Sequence, residues 1–167
     1  IGLLEQKGEE ERFVFGFEES YGYLAGSYVR DKDAVIASML ICEMAAFYKG
    51  QGKSLLDVMD GLYTAFGMHL NTQKSFTCEG VTGMERMKEI MDDLRKNPPA
   101  AIGSYKTLRV LDYETSKETD MVTGAVSPIT LPQSNVLSYK LADGAGVIIR
   151  PSGTEPKIKV YLSAIGA

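Results

Sequence analysis

The sequence contains no tryptophan, a single histidine and only two cysteines among its 167 residues. Cys42 and Cys78 lie far apart with no CxxC spacing, which predicts two reduced, buried thiols in an intracellular protein, not a disulfide framework. His69 falls in a predicted strand without a partner motif, so we expect a structural role for it. These rare residue types therefore predict no catalytic or metal site.

Positive charge is also scarce, with 18 Lys and Arg residues against 22 Asp and Glu and a formal net charge of -4. A nucleic-acid surface normally needs a net basic face, so this balance argues against such a partner, although a local loop could still hold one phosphate. The longest apolar run, residues 34–48, is shorter than the roughly 20 residues that span a bilayer. With no signal peptide at its start, the sequence predicts no membrane contact and a cytoplasmic protein.

The first half of the chain predicts one short strand and two helices. Residues 12–17 are aromatic and β-branched, which favours a strand, and the glycine-containing polar residues 18–32 predict a loop. A helix follows over residues 33–49 with its first residue as N-cap, and its apolar side chains on nearly every side predict burial. The next helix starts at Ser54, where Asp57 completes a capping box.

The second half predicts an α+β domain, an antiparallel sheet with a helix on one face. Residues 68–78 alternate as a strand, and Thr82 with Glu85 predicts a capping box for the helix that follows. We expect residues 114–133 to be a mobile polar connection, and we place the domain boundary near residues 67–73. The remaining predicted strands are residues 107–113, 135–141, 146–150 and 158–162.

The strongest chemical signal is the sequence Arg-Pro-Ser-Gly-Thr-Glu-Pro at residues 150–156, between the last two predicted strands. Arg150 offers a guanidinium that forks onto phosphate oxygens, and Gly153 lets backbone N–H groups approach an anion closely. Ser152 and Thr154 add hydroxyl groups. The pattern predicts a phosphate-binding loop, and the alternative is a hairpin turn with an exposed arginine.

A second signal is the sequence Gly-Phe-Glu-Glu-Ser-Tyr-Gly at residues 16–22, which follows the first predicted strand. Carboxylates accept O–H hydrogen bonds, and a serine hydroxyl both donates and accepts them, so the segment suits the vicinal hydroxyls of a sugar. The alternative is a solvated acidic loop.

Together, these two segments resemble the α-D-phosphohexomutases, the phosphoglucomutase/phosphomannomutase family, in both order and separation. Residues 17–22 resemble the sugar-recognition loop of that family, and residues 150–156 resemble its phosphate-binding loop. The stretch Arg-Asp-Lys-Asp-Ala at residues 30–34 resembles the family as well. The resemblance covers essentially the whole chain.

The resemblance implies the C-terminal part of a four-domain enzyme. Residues 1–70 would be the tail of the third domain, which has an α/β mixed-sheet fold. Residues 71–167 would be the fourth, a TATA-binding-protein-like α+β domain that closes over the active site. By motif match, Glu18 and Ser20 would hold sugar hydroxyls. The substrate phosphate would be held by Arg150, Ser152, Gly153 and Thr154, with Lys159 as a further basic residue.

The resemblance also implies chemistry that this chain does not carry. The family uses a phosphoserine loop and a Mg²⁺ site in an Asp-x-Asp-x-Asp loop, and neither motif occurs here. The Asp31-Lys32-Asp33 segment is too short for that metal site, and the lysine that the family places just before the segment resembling Ile1-Gly2 is also missing. We therefore expect both chain ends to be cut from a longer protein, and the isolated chain to be inactive.

The full-length parent would be a Mg²⁺-dependent phosphohexomutase that moves phosphate between the 1- and 6-positions of a hexose, with glucose 1,6-bisphosphate as activator or intermediate. Its partners would be the hexose phosphate and the missing N-terminal domains of the same chain. Two other functions stay open: a freestanding phosphosugar-binding module, and an interaction domain with a chance loop. Tyr21 and Gly22 resemble glucose-type more than mannose-type members.

Overall fold

A computed structural model of the chain describes residues 1–18 and 21–166. Contacts between Cα atoms divide the chain into two compact units, Ile1–Leu62 and Tyr63–Ala167. In the part of the chain that the structure describes, no helix is long and apolar enough to cross a membrane. The domain limits of 1–70 and 71–167 stay a prediction.

The N-terminal unit consists of a two-stranded antiparallel ribbon and helices. Its elements are helix α1 (Gly2–Glu5), a 3-10 turn (Glu10–Arg12), strands β1 (Phe15–Phe17) and β2 (Tyr23–Ala25), helix α2 (Ala34–Gly50) and the start of helix α3 (Leu55–Phe66). The predicted loop over residues 18–32 is wrong in part, because β2 lies inside it. The backbone N–H of Glu18 donates to the carbonyl of Gly22 at 2.8 Å, next to the antiparallel pairing of β1 with β2.

Local hydrogen bonds begin the two long helices as the sequence predicts. The Asp33 carboxylate accepts the backbone N–H groups of Val35 and Ile36 at 2.9 and 3.2 Å, which caps α2. At α3, the Ser54 N–H and hydroxyl both donate to the Asp57 carboxylate at 2.7 Å, and the Asp57 N–H donates back at 3.2 Å. Both N-caps are therefore confirmed.

The predicted burial of α2 is wrong for this chain, since none of its residues is buried. Val35 is 81% exposed and Phe47 64% exposed. Among the described residues, this unit offers only a short ribbon as a second layer, which is too small to cover a helix that is apolar on nearly every side. For the same reason Cys42 is an exposed free thiol on α2, contrary to its predicted burial, and Cys78 is a half-buried one.

The C-terminal unit is an antiparallel sheet of eight strands with one helix, which confirms the predicted α+β architecture. The strand order is β3-β10-β9-β8-β5-β6-β7, and β4 pairs with β5. The elements are β3 (Met68–Thr77), α4 (Gly83–Lys96), β4 (Ala101–Ile102), β5 (Tyr105–Asp112), β6 (Lys117–Asp120), β7 (Val126–Pro128), β8 (Leu137–Leu141), a 3-10 turn (Ala142–Gly144), β9 (Gly146–Pro151) and β10 (Lys157–Gly166).

The hydrophobic core lies between α4 and one face of this sheet. Met87 and Met91 of α4 are buried against strand residues, among which Leu137 and Tyr139 have no exposed surface. Burial raises the pKa of Tyr139 to about 12, and its hydroxyl donates to the Leu94 carbonyl at 3.2 Å. The methionine stripe of α4 is therefore core packing.

Two local predictions for this unit are wrong. Thr82 precedes α4 but makes no side-chain cap hydrogen bond, because its backbone (φ -90°, ψ 8°) departs from the extended geometry of an N-cap. Residues 114–133, expected to be a mobile connection, contain β6 and β7 at the edge of the sheet. Pairing of β6 with β5 and of β7 with β6 orders these polar residues, and Arg109 forms an ion pair with Glu118 at 2.8 Å.

Candidate functional site

The turn between β9 and β10 carries two basic side chains on one face of the sheet. Ile149 is buried in the core, so the next residue along β9, Arg150, lies on the opposite face and is exposed. Lys159 of β10 is the direct cross-strand partner of Arg150. Among residues 1–18 and 21–166, no carboxylate forms an ion pair with either side chain. Two like charges opposite each other are unfavourable unless an anion lies between them.

The loop itself is held by its own hydrogen bonds. The Ser152 hydroxyl oxygen accepts the backbone N–H groups of Thr154 and Glu155 at 3.4 and 3.3 Å, which leaves its proton available for donation. The Ser152 N–H donates to the Lys157 carbonyl at 2.8 Å and closes the loop. At Gly153 no heavy atom lies within 4 Å of the position that a Cβ would take, so the loop surface is open there.

All five residues of the predicted phosphate site lie together at this end of the hairpin. Arg150, Gly153 and Thr154 are exposed, while Ser152 and Lys159 are half-buried. The nearest carboxylate in sequence, Glu155, is 3.6 Å from Lys157 and so is engaged with a different lysine. The geometry suits an oxyanion, because a guanidinium and an ammonium lie on one face of the sheet and the adjoining loop offers a hydroxyl and an open glycine backbone.

The predicted sugar loop lies in the N-terminal unit, where Glu18 directly follows β1. Its side chain is half exposed, and one carboxylate oxygen lies 3.5 Å from the Lys32 ammonium nitrogen. Ser20, the other predicted sugar ligand, lies outside the described residues. Glu18 and the phosphate loop belong to different units.

Lys32 is the residue beside Glu18 that the sequence interpretation missed. Its ammonium also contacts Asp31 at 2.9 Å, and hydrogen bonding to Asp31 raises the pKa of Lys32, with the charge of Glu18 adding to the effect. The Lys32 side chain crosses Gly22 so closely that a Cβ at Gly22 would be 2.3 Å from Lys32 Cδ. Glu18 and Lys32 are fourteen residues apart, and nothing in the sequence indicated that they meet. The contact forms because the chain folds back along β2, where the Asp33 N–H donates to the Tyr23 carbonyl at 2.7 Å.

Tyr21, in the same loop, has an unusual backbone and a highly exposed ring. Its φ is 64°, in the left-handed region that a non-glycine residue seldom adopts, and its side chain is 89% exposed. Strained residues of this kind cluster at ligand-binding loops. The backbone of Tyr21 therefore agrees with a recognition role for the loop.

A cavity of about 700 Å³ lies next to this loop in the same unit, but its lining is unlike that of a sugar site. The lining is mainly aromatic and aliphatic and includes Phe15, Tyr23, Ile41 and Met44. A sugar needs several convergent hydrogen-bonding groups, whereas this lining is mostly hydrocarbon and carries hydroxyl groups at Tyr21, Tyr23 and Ser38. The cavity is therefore an apolar packing surface beside the loop. In the described ranges, no group of three His, Cys, Asp or Glu residues is placed to hold a metal ion.

Comparison with known proteins identifies two family domains along the chain. Residues 3–66 match the family model for phosphoglucomutase/phosphomannomutase alpha/beta/alpha domain III, and residues 85–164 match the model for the C-terminal domain. A phosphoglucomutase of Staphylococcus epidermidis is 40% identical over 154 residues, 92% of this chain and 28% of that protein. A phosphoglucomutase of Staphylococcus aureus is 41% identical over 160 residues, 96% of this chain and 29% of that protein.

A solved structure shares the fold. The open form of the exocytosis-sensitive phosphoprotein pp63/parafusin, a phosphoglucomutase from Paramecium, superposes with a TM-score of 0.60 at 19% identity. The match covers 99% of this chain and 27% of that one. The chain thus spans less than a third of the length of the proteins that it matches.

Proposed function

This chain belongs to the phosphoglucomutase/phosphomannomutase family, and from that premise we propose that it is the substrate-recognition part of a phosphohexomutase. The full-length protein would move phosphate between the 1- and 6-positions of a hexose. Glucose phosphate is the first substrate to test, because the relatives are named phosphoglucomutases and because Tyr21 and Gly22 resemble glucose-type members.

The observation that carries this proposal is the unneutralised pair of Arg150 and Lys159. Folding places the two cations opposite each other across neighbouring strands, without a carboxylate partner in the described part of the chain. A phosphate group carries the negative charge that would neutralise these two cations, and the guanidinium can donate hydrogen bonds to two of its oxygens. The Ser152 hydroxyl and the open backbone at Gly153 would complete the cradle.

Glu18 and Ser20 are proposed to hold sugar hydroxyls. Among the described residues, the Glu18 carboxylate forms an ion pair with Lys32 alone, at 3.5 Å, so it keeps lone pairs free for O–H donors. The Lys32 chain over Gly22 would set the direction of the carboxylate.

The phosphoryl-transfer chemistry is assigned to other parts of the full-length protein. The phosphoserine, the Mg²⁺ ion and glucose 1,6-bisphosphate remain expectations for that protein, and no residue of this chain is given a catalytic or metal-binding role. We expect the isolated chain to show no mutase activity with glucose 1-phosphate, Mg²⁺ and glucose 1,6-bisphosphate. Turnover above background would contradict this assignment.

The remaining partner is the preceding part of the same protein. The domain III family model describes a three-layered alpha/beta/alpha domain, whereas among the described residues of this unit the sheet is a two-stranded ribbon and no residue of α2 is buried. The apolar cavity lined by Phe15, Tyr23, Ile41 and Met44 would be covered by sheet residues from the rest of that domain. The cavity is then a domain interior rather than a ligand site.

The experiment that tests the phosphate site is a titration of the chain with inorganic phosphate, followed through backbone amide NMR shifts. We expect the amides of residues 152–154 to move, and we expect Arg150→Ala to weaken the binding about tenfold or more, the loss of a charge-assisted hydrogen bond. Arg109→Ala is the matched control, since Arg109 is an exposed arginine of the same sheet that already pairs with Glu118. Shifts elsewhere that spare residues 150–154 would refute the site.

A second experiment tests the sugar loop in the full-length protein. Glu18→Ala should lower kcat/KM for glucose 1-phosphate by about tenfold or more, with the fold intact. Glu11→Ala removes an exposed carboxylate just before β1 and should leave kcat/KM unchanged. If the two variants behave alike, Glu18 is only part of a solvated acidic loop.

A further inference from the structure

The first residue of α4, Gly83, lies where a side chain has no room. Gly83 is buried, and a Cβ built on it would be 2.1 Å from the Cys78 carbonyl oxygen and 2.9 Å from the Pro156 Cβ. The first of these neighbours is backbone, which cannot rotate away as a side chain would. The φ of Gly83 is not in the left-handed region, so the requirement for glycine is steric and not conformational.

This contact joins the start of α4 to the foot of the phosphate loop. The Cys78 N–H donates to the Pro156 carbonyl at 2.7 Å, so the residue that follows β3 is tied to the last residue of the loop. On one side, the Pro156 Cβ lies 2.9 Å from the position that a Cβ of Gly83 would take, and on the other the Ser152 N–H donates to the Lys157 carbonyl at 2.8 Å and closes the loop. A displacement at Gly83 would therefore move Cys78 and Pro156 together.

Helix formation gives no reason for glycine at this position. Alanine forms helix more readily than glycine, so a helix that needed only to begin here would be better served by alanine. Thr82 provides no side-chain cap either, and the start of α4 is therefore held by packing against Cys78 and Pro156.

We propose that Gly83 is a positioning residue for the phosphate loop. Because Gly83 has no side chain, the start of α4 packs closely against Cys78 and Pro156, and this packing sets the position of residues 150–156 relative to the sheet. The proposal rests on the phosphate site proposed above. Gly83 touches no ligand itself. It acts through Pro156 on the cradle formed by Arg150, Ser152 and Gly153, where a shift of about 1 Å would misplace several hydrogen bonds at once.

The test uses the full-length protein with Gly83→Ala, and Gly61→Ala as its matched control. Gly61 is a helical glycine of α3 with no heavy atom within 4 Å of a built Cβ. Calorimetry at a temperature where both variants are folded should give a Kd for glucose 1-phosphate that is roughly tenfold higher in Gly83→Ala and unchanged in Gly61→Ala. An unchanged Kd in Gly83→Ala overturns the proposal.

A second variant keeps the proposal testable if Gly83→Ala does not fold. Pro156→Gly removes the Cβ that lies beside the missing side chain of Gly83 without adding atoms, and it should also raise the Kd for glucose 1-phosphate several-fold. Because both changes act through one contact, the double variant should bind more tightly than the product of the two single effects predicts. Independent effects, or an unchanged Kd in Pro156→Gly, would refute the positioning role.

Arg150→Ala distinguishes a failure of the phosphate site from a failure of the role proposed for Gly83. If Arg150→Ala leaves the Kd for glucose 1-phosphate unchanged, the phosphate site itself is wrong. If Arg150→Ala weakens binding while Gly83→Ala and Pro156→Gly do not, the phosphate site stands and the role of Gly83 is wrong.

Discussion

The two units of the chain are stabilised in different ways. In the C-terminal unit, ten buried hydrophobic residues join α4 to one face of the sheet. In the N-terminal unit, neither α2 nor α3 has a buried residue in this chain, although the sequence of α2 is more apolar than that of α4. The difference shows that hydrophobic composition predicts burial only when a second layer is present to cover it.

Capping follows the opposite pattern. The helices without a core begin with side-chain caps at Asp33 and Ser54, whereas α4 packs through Met87 and Met91 and has no side-chain cap. Local hydrogen bonds thus define the helix starts of one unit, and tertiary packing defines the helix of the other.

The largest expected effect comes from shortening one methionine in each unit. Met91→Ala should destabilise the C-terminal unit by about 2–5 kcal/mol, because Met91 is 1% exposed and the change leaves a cavity. Met39→Ala on α2, where the side chain is 50% exposed, should change stability by less than about 0.5 kcal/mol. Urea unfolding of the 167-residue chain measures both, and equal effects would mean that the two helices are equally buried.

A smaller effect is expected from the ion pairs. The Arg95 side chain is 14% exposed and contacts Asp112 at 3.3 Å, which is equally shielded, and Glu114 at 2.5 Å. Arg95→Met should cost about 1–3 kcal/mol, since it leaves the shielded Asp112 carboxylate without its cation, although the Glu114 N–H and the Thr115 hydroxyl still donate to it. Arg30→Met removes a half-exposed pair with Glu5 in the other unit and should cost about 0–1 kcal/mol. Thermal unfolding would contradict the comparison if Arg30→Met were the more harmful.

Removing the hydroxyl at the residue before each helix should destabilise α3 but have little effect on α4. Ser54→Ala should destabilise the start of α3 by about 1 kcal/mol, because the hydroxyl takes part in the capping box. Thr82→Ala should change α4 stability by less than about 0.5 kcal/mol, because Thr82 makes no cap bond. Amide hydrogen exchange in the first turn of each helix reports the two effects, and protection lost equally at both helices would refute the assignment.

The smallest expected effect is a dependence on acid. The Ser54 hydroxyl and N–H lower the pKa of Asp57, and the Tyr28 hydroxyl followed by the Ile36 N–H lowers that of Asp33. A depressed carboxyl pKa stabilises the fold above the unfolded pKa, and this contribution is lost as the pH falls through the folded pKa. The amides of Val35, Ile36 and Ser54 should therefore move below about pH 4, the pH near which an ordinary carboxyl group takes up a proton. Movement at the start of α4 in the same window would not fit this explanation.

Much of the fold could be predicted from local sequence, and the failures share one physical cause. The strand over residues 68–78 and the caps at Asp33 and Ser54 were predicted from local patterns, and the structure confirms a strand at Met68–Thr77 and both caps. The polar strands β6 and β7 were missed because their order comes from the strands they pair with, β5 for β6 and β6 for β7, and polar composition does not reveal such partners. The burial of α2 was wrong because it requires a covering layer that local pattern does not reveal.

By itself, the sequence determined the chemistry available to the protein: a motif with a guanidinium, a hydroxyl and a glycine at residues 150–154, a carboxylate at Glu18, and the strands and caps that hold them. Only the tertiary structure decided that Lys159 faces Arg150, that Lys32 crosses Gly22 to reach Glu18, and that Gly83 closes on Pro156. The physical reason is that residue type and spacing define local backbone geometry, whereas the register between strands and the packing of a helix on a loop depend on which segments pair or pack in the folded chain.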